Sequence, residues 1–183
     1  MCGRFVAATD PDGLVKFFTI DERKTDDLPP SYNVAPTDPV YAVAAHEGRR
    51  VLVTFRWGLV PSWAESPKVA ATMINARVET AATKPAFRDA LRRRRCLIPA
   101  DGFYEWTKNP DGSKQPHFIT PADGGLLAFA GLWETWRDPS DPKAAPLEEF
   151  ELLELQHRLV GRRHGVEALL REPDHTACCD QPN

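Results

Sequence analysis

No apolar run in this chain approaches the length of a membrane span. The opening Met1-Cys2-Gly3-Arg4-Phe5-Val6 lacks the basic-then-apolar pattern of a secretory signal. A cytoplasmic protein is expected. Thiols stay reduced in that compartment, so Cys2, Cys96, Cys178 and Cys179 do not read as a disulfide framework. Zinc spacing is missing too, because there is no C-x-x-C and Cys178 and Cys179 are adjacent. The histidines His46, His117, His157, His164 and His175 fall in no metal-binding pattern. Neither metal nor cofactor is indicated. An excess of positive charge is also lacking: 23 Lys and Arg face 26 Asp and Glu, for a net charge of -3. A protein that coats long duplex DNA is usually basic overall. Any contact with nucleic acid must therefore be local, through a patch of arginines on an acidic molecule.

What is present suits one compact domain: 183 residues, 42% of them apolar. Asp10-Pro11 reads as an N-cap with proline at the first helical position, leading into Leu14, Phe17 and Phe18. Residues 25–39 are rich in Asp, Pro and Ser and read as loop. Residues 39–45 and 50–57 are strand-like and flank Glu47-Gly48, which predicts a hairpin. Lys84-Pro85 opens a helix with Phe87 and Leu91 on one face, running into Arg92-Arg93-Arg94-Arg95. Cys96 to Pro99, Phe103 to Trp106 and Leu126 to Trp133 read as strands, with a turn at Asn109-Pro110-Asp111-Gly112. Residues 138–146 read as loop, and residues 151–170 as helix. Helices and strands are interspersed without regular alternation, so the fold class expected is α+β.

Three groups of residues could carry chemistry. Removal of Met1 would leave Cys2 with a free α-amine and a thiol on one residue. An α-amine titrates at about 7.7–8.0, so a useful fraction is neutral near pH 7. A neutral amine attacks an aldehyde to give a Schiff base. The adjacent thiol then closes the imine to a thiazolidine, a step lysine cannot take. Position alone does not separate this from a cysteine that merely follows the initiator. Asn75, Arg77 and Glu79 would share one face of an extended segment, combining an amide, a forked phosphate binder and a carboxylate; a solvent-facing edge strand would look the same. Glu105 stands between aromatics in Phe103-Tyr104-Glu105-Trp106. A carboxyl partly withdrawn from water can serve as general acid or base, yet ordinary alternation also produces such a residue. Of Trp57 and Trp63, one is expected at a surface groove, where tryptophan can stack on unpaired bases. The Arg92 to Arg95 run reads first as a solvated helix end.

Five ordered blocks resemble the SOS response-associated peptidase (SRAP) family. They are Cys2 to Phe5, Tyr32-Asn33-Val34-Ala35-Pro36, Arg56 to Trp63, Asn75 to Thr80 and Cys96 to Trp106; Ala130-Gly131-Leu132-Trp133-Glu134 continues the likeness. The resemblance spans roughly residues 1 to 150 and decides for the functional reading of Cys2. It implies an α+β fold of twisted antiparallel strands in a barrel-like core with flanking helices. It implies a protein that crosslinks processed Cys2 to abasic sites in single-stranded DNA as a thiazolidine, the peptidase label referring to removal of the segment before Cys2; a monomer, nucleoid-associated when bound to DNA, is expected. The family's asparagine falls on Asn75, its catalytic glutamate on Glu105, and its phosphate-holding arginines on Arg4 and Arg77. Trp63 is the expected base-stacking residue.

Two features depart from the family. Ala64 stands where a second aromatic usually follows the tryptophan. The family's Ile-His-x-Arg-Met-Pro motif, whose histidine is catalytic, does not appear. His164 lies near its spacing, but its neighbours Arg162, Arg163 and Gly165 do not match. The chain is therefore expected to divide into a SRAP-like domain, residues 1–153, and a divergent segment, residues 154–183. A frameshift near residue 153 would account for the division. A thiolate hydrolase built on Cys2, or a non-catalytic DNA-binding remnant, are the competing readings.

Overall fold

The computed structural model describes residues 3–154. Eleven strands and three α-helices are found among them, in the order β1 (Phe5–Ala7), α1 (Pro11–Phe18), β2 (Glu22–Arg23), β3 (Ser31–Val34), β4 (Pro39–His46), β5 (Arg49–Trp57), β6 (Asn75–Arg77), α2 (Val78–Ala81), α3 (Arg88–Arg93), β7 (Arg95–Ala100), β8 (Gly102–Lys108), β9 (Lys114–Ile119), β10 (Leu127–Trp136) and β11 (Leu147–Glu154). A short 3-10 helix, Pro67–Thr72, precedes β6. The α+β class is as expected. No helix among the described residues is long and apolar enough to cross a membrane.

Local chemistry sets several elements. The Asp10 carboxylate accepts from the Gly13 N–H at 2.8 Å and caps α1, with Pro11 at its first position. Glu47 and Gly48 both take positive φ, 50° and 73°, which is the backbone twist a two-residue hairpin requires. The hairpin pairs β4 with β5 from Pro39↔Arg56 to His46↔Arg49.

Strands β5, β4, β7, β10 and β11 form a continuous ladder, and a parallel contact between β11 and β5 closes it into a barrel. Alternation divides each wall strand between two environments. Val40, Ala42 and Ala44 of β4 face the interior with Phe55, Trp57, Cys96, Ile98, Phe150 and Leu152. Tyr41, Val43, Leu52 and Leu97 face outward under Leu14 and Phe18 of α1. A second outer layer sets Phe87 and Ala90 on Ala130, Leu132 and Leu153. Burying each large apolar side chain contributes about 1.5–3 kcal/mol, so the doubly covered wall is the main source of stability.

A separate four-stranded sheet, in the order β3-β1-β8-β9, leans on this barrel. Its Phe5 and Val34 belong to the barrel's interior core. The Phe5 ring lies 5.2 Å from Trp57 and 5.8 Å from Phe129, and Phe103 of β8 meets Phe129 at 6.0 Å. Gly58 lets β5 leave the barrel. Its φ is +129°, and a Cβ there would stand 2.5 Å from the Ala70 carbonyl oxygen.

Four expectations are corrected. The helix expected to open at Lys84-Pro85 and run into Arg95 is confined to Arg88–Arg93, and Arg95 opens β7 because it pairs with Leu132 of β10. The loop expected over residues 25–39 contains β3, which pairs with β1 through Phe5↔Val34 and Ala7↔Ser31. Residues 151–154, expected to begin a helix, belong to β11, because that strand is hydrogen-bonded to β10 on one side and β6 on the other. Pairing on both edges overrides the helical preference of a glutamate- and leucine-rich stretch. The extended segment from Asn75 ends at Arg77, and Glu79 lies in α2, so it does not share their face.

Candidate active site

Asn75 and Glu105 reach the same core from different sheets. Asn75 lies opposite Leu152, an interior residue, whereas Ala76 lies opposite Leu153 in the outer layer. Asn75 and Arg77 therefore face the barrel-interior side. Just ahead of them, the Trp57 indole N–H donates to the Ile74 carbonyl at 2.9 Å. On β8, Glu105 alternates with Tyr104 and shares the face of Phe103, which packs on that interior core. Asn75 and Glu105 are half-buried and Arg77 is exposed. Thr80 donates to the Arg77 carbonyl at 3.3 Å, fixing the turn from strand to helix just beyond the site.

The start of the described chain is tied to this place. Phe5 pairs with Phe103 and Val6 with Gly102. The Tyr104 N–H donates to the Arg4 carbonyl at 3.0 Å. Asp101, the residue joining β7 to β8, accepts from the Ala8 N–H at 2.7 Å, the Thr9 N–H at 3.2 Å and the Thr9 hydroxyl at 2.6 Å. One carboxylate thus grips the chain just after β1 and sets its position against the strand bearing Glu105. Arg4 donates to the Asn33 side-chain oxygen at 3.0 Å, beside β3. Cys2 and His164 lie outside the described residues.

Trp63 and Trp57 differ in exposure. Trp57 is wholly buried, and Trp63 is 68% exposed. Its loop is nonetheless anchored, since the Trp136 indole donates to the Ala64 carbonyl at 2.7 Å and the Ala64 N–H to the Pro61 carbonyl at 2.8 Å. Cys96 is fully buried, and burial pushes its thiol well above the usual thiol range, so it is no nucleophile.

Three glutamates sit on the outer face of β10 and β11 away from these residues. Glu134 pairs with Arg94 at 2.6 Å, and Glu149 with Arg56. Burial raises the Glu149 carboxyl, against the pull of Arg56. Glu151 is completely buried, and neither of its oxygens has a hydrogen-bond partner among the described residues. Burial pushes its carboxyl up to about 9, against a weaker pull from Lys84. Among the described residues no group of three or more His, Cys, Asp or Glu gathers to hold a metal.

Sequence reasoning missed Asp101 as the clamp and His117 as the cross-strand neighbour of Glu105. The first was hidden because its contacts lie more than 90 residues away in sequence. The second was recoverable by counting outward from the Asn109 to Gly112 turn.

The described chain thus combines a closed mixed barrel with a second sheet whose strand β1 is held against β8. The sequence matches the SOS response associated peptidase (SRAP) family over residues 1–156, and the chain belongs to that family. It is 42% identical over 140 residues to abasic site processing protein YoqW of Bacillus subtilis, covering 76% of this chain and 62% of the relative. It is 34% identical over 139 residues to abasic site processing protein YedK of Escherichia coli, covering 74% and 60%, and 31% identical over 181 residues to abasic site processing protein HMCES of Xenopus tropicalis, covering 76% and 54%. The match thus takes in about three fifths of the bacterial relatives' length. A crystal structure of a Bordetella bronchiseptica protein superposes with a TM-score of 0.67 at 28% identity, covering 83% of this chain and 71% of that one. A Bacteroides thetaiotaomicron structure shares the fold, with a TM-score of 0.68 at 20% identity over 92% and 86% of the two chains.

Proposed function

We propose that this chain processes abasic sites in single-stranded DNA by covalent capture through Cys2. The observation that carries the reading is the clamp at Asp101, which fixes the strand that follows Cys2 beside Glu105. The relatives' names, abasic site processing proteins, supply the substrate class. After loss of Met1, the neutral α-amine adds to the open-chain aldehyde of the abasic sugar. The carbinolamine loses water to give the imine, and the Cys2 thiol adds across it to close a thiazolidine. The sum is aldehyde plus aminothiol giving thiazolidine plus one water.

Glu105 moves the protons: it donates to the departing oxygen and receives from the attacking amine, work suited to one carboxyl held at the reacting atoms. Asn75 hydrogen-bonds the sugar. Arg4 and Arg77 hold flanking phosphates, and Trp63 stacks on an unpaired base. Single-stranded substrate leaves the sugar reachable without an unstacking cost of a few kcal/mol. Residues 1–153 form the working domain, and residues 154–183 are a divergent segment in which His164 is the candidate for the family's catalytic histidine, although its neighbours do not match the motif. The protein acts as a cytoplasmic monomer.

Intact mass before and after incubation with a single-stranded oligonucleotide bearing one abasic site tests the reading. Loss of Met1 and a stable adduct absent from Cys2→Ala are expected. A folded, Met1-processed protein that forms no adduct would leave noncovalent DNA binding as the function. An adduct that survives blocking of the α-amine would instead indicate a thiolate mechanism.

A further inference from the structure

The β8–β9 hairpin places a histidine directly across the strands from the candidate site glutamate. Its register is fixed at the tip, where the Asn109 N–H donates to the Ser113 carbonyl at 2.9 Å, the Gly112 N–H to the Asn109 carbonyl at 3.0 Å and the Ser113 N–H to the Asp111 carboxylate at 2.9 Å. Counting back gives Lys108↔Lys114, Thr107↔Gln115, Trp106↔Pro116 and Glu105↔His117. Directly opposed residues have Cβ atoms about 4.5–5.5 Å apart, within reach of a glutamate and an imidazole.

The two faces of the hairpin differ in character. Tyr104, Trp106 and Phe118 lie on one face, with ring centroids 6.5 Å and 5.1 Å from Tyr104. Alternation places Lys108 and Lys114 there as well. The opposite face carries Phe103, Glu105 and Thr107 from β8 and Gln115, His117 and Ile119 from β9. On that face Glu105 is the ionisable neighbour of His117 from either strand. The other charged residues of the candidate site are Arg4, turned to Asn33, and Arg77 on β6. Of the two histidines among the described residues, His46 ends β4 at its hairpin, and His117 alone stands beside a candidate site residue.

We propose that His117 is a positioning and proton-relay partner of Glu105, holding the carboxylate in place and returning it to the protonation state that the next step needs. This rests on the role given to Glu105 in abasic-site capture. In the reaction Glu105 gives a proton to the departing water and takes one from the amine. An exposed imidazole at its side exchanges protons with solvent, and histidine is the side chain whose ordinary titration lies nearest neutral pH. Over the whole capture the proton Glu105 takes from the amine balances the one it gives to the departing water; between those two steps His117 passes the temporary surplus or deficit to or from solvent, so no other reactant is consumed.

The test measures single-turnover crosslinking to an abasic-site oligonucleotide from pH 5.5 to 8.5. The full-length parent is compared with His117→Gln, Glu105→Gln and the double variant, and melting temperatures are taken alongside. His117→Gln should lower the rate roughly ten-fold, less than the 10²–10⁴ typical of a group that transfers the proton itself. It should also change the shape of the pH profile while leaving melting unaltered. The double variant should be no slower than Glu105→Gln. A profile identical to the parent's, a loss equal at every pH, or a double variant slower by the full product of both effects would overturn the proposal. A parent that forms no adduct would refute the crosslinking reading instead. In that case NMR of the His117 ring still decides whether the pair exists: its titration curve should move in Glu105→Gln, and an unmoved curve would refute the coupling.

Discussion

Glu151→Leu is expected to stabilise the protein, and to do so more strongly as pH rises. Glu151 is fully buried on β11, directly across from Leu132 of β10 and next to Leu152 and Leu153 in the chain, and neither oxygen has a hydrogen-bond partner among the described residues. In the unfolded chain its carboxyl ionises at the ordinary 4.5; in the fold it holds its proton up to about 9. The folded state therefore binds the extra proton, and stability falls with pH throughout that window. Each unit is worth 1.36 kcal/mol, so the deficit at pH 7 is about 3 kcal/mol and about 6 kcal/mol by pH 9. Against a total of roughly 5–15 kcal/mol for a native domain, this is a large fraction. Leucine removes the term and fills the space with an apolar group. Glu151→Gln removes the pH slope alone, leaving an unpartnered amide. Urea unfolding at pH 5, 7 and 8.5, followed by tryptophan fluorescence, measures both variants against the parent. The curves should diverge with rising pH. Parallel pH dependence in parent and Glu151→Leu, or a less stable leucine variant, would refute the reasoning.

Asp101→Ala removes three accepted hydrogen bonds and frees the chain beyond β1. It should cost about 2–4 kcal/mol in chemical denaturation and slow crosslinking beyond what the stability loss explains, with Asp101→Asn intermediate. Trp63→Ala, at a 68% exposed side chain, should shift stability by less than about 0.5 kcal/mol. It should weaken single-stranded DNA binding by about 1–3 kcal/mol in fluorescence anisotropy. Gly58→Ala places a Cβ 2.5 Å from the Ala70 carbonyl oxygen at a φ of +129°. It should lower the melting temperature by an amount equivalent to about 2 kcal/mol or more.

Elements with local chemistry were legible in the sequence. The Asp10 cap, the Glu47-Gly48 hairpin and the Asn109 to Gly112 turn each act within a few residues, and each stands where composition placed it. Strand β3 was hidden among prolines because Val34 is its one buried residue and its partner β1 is distant in sequence. Strand β11 was misread from Glu151 onward, because its conformation comes from β10 and β6 and not from its own helix-favouring residues. At the site, residue patterns alone left Cys2, Asn75 and Glu105 open, and the family likeness chose among the alternatives. Nothing local could show that Asn75 and Glu105 face one core, since two different sheets bring them there.

The seam between β5 and β11 has a consequence for how the chain is made. Glu149 and Phe150 meet Arg56 and Trp57 across 93 residues of sequence, and that contact closes the barrel. On the ribosome, at about 5–20 residues per second, β5 waits roughly 5–20 seconds for its neighbour to emerge. Throughout that interval the β4–β5 hairpin carries an unpaired edge next to Trp57 and Phe55, open to pairing with another nascent chain. Productive synthesis of this protein is thus a race that the last wall strand must win, and any change that slows or misdirects β11 leaves a half-made barrel exposed to aggregation.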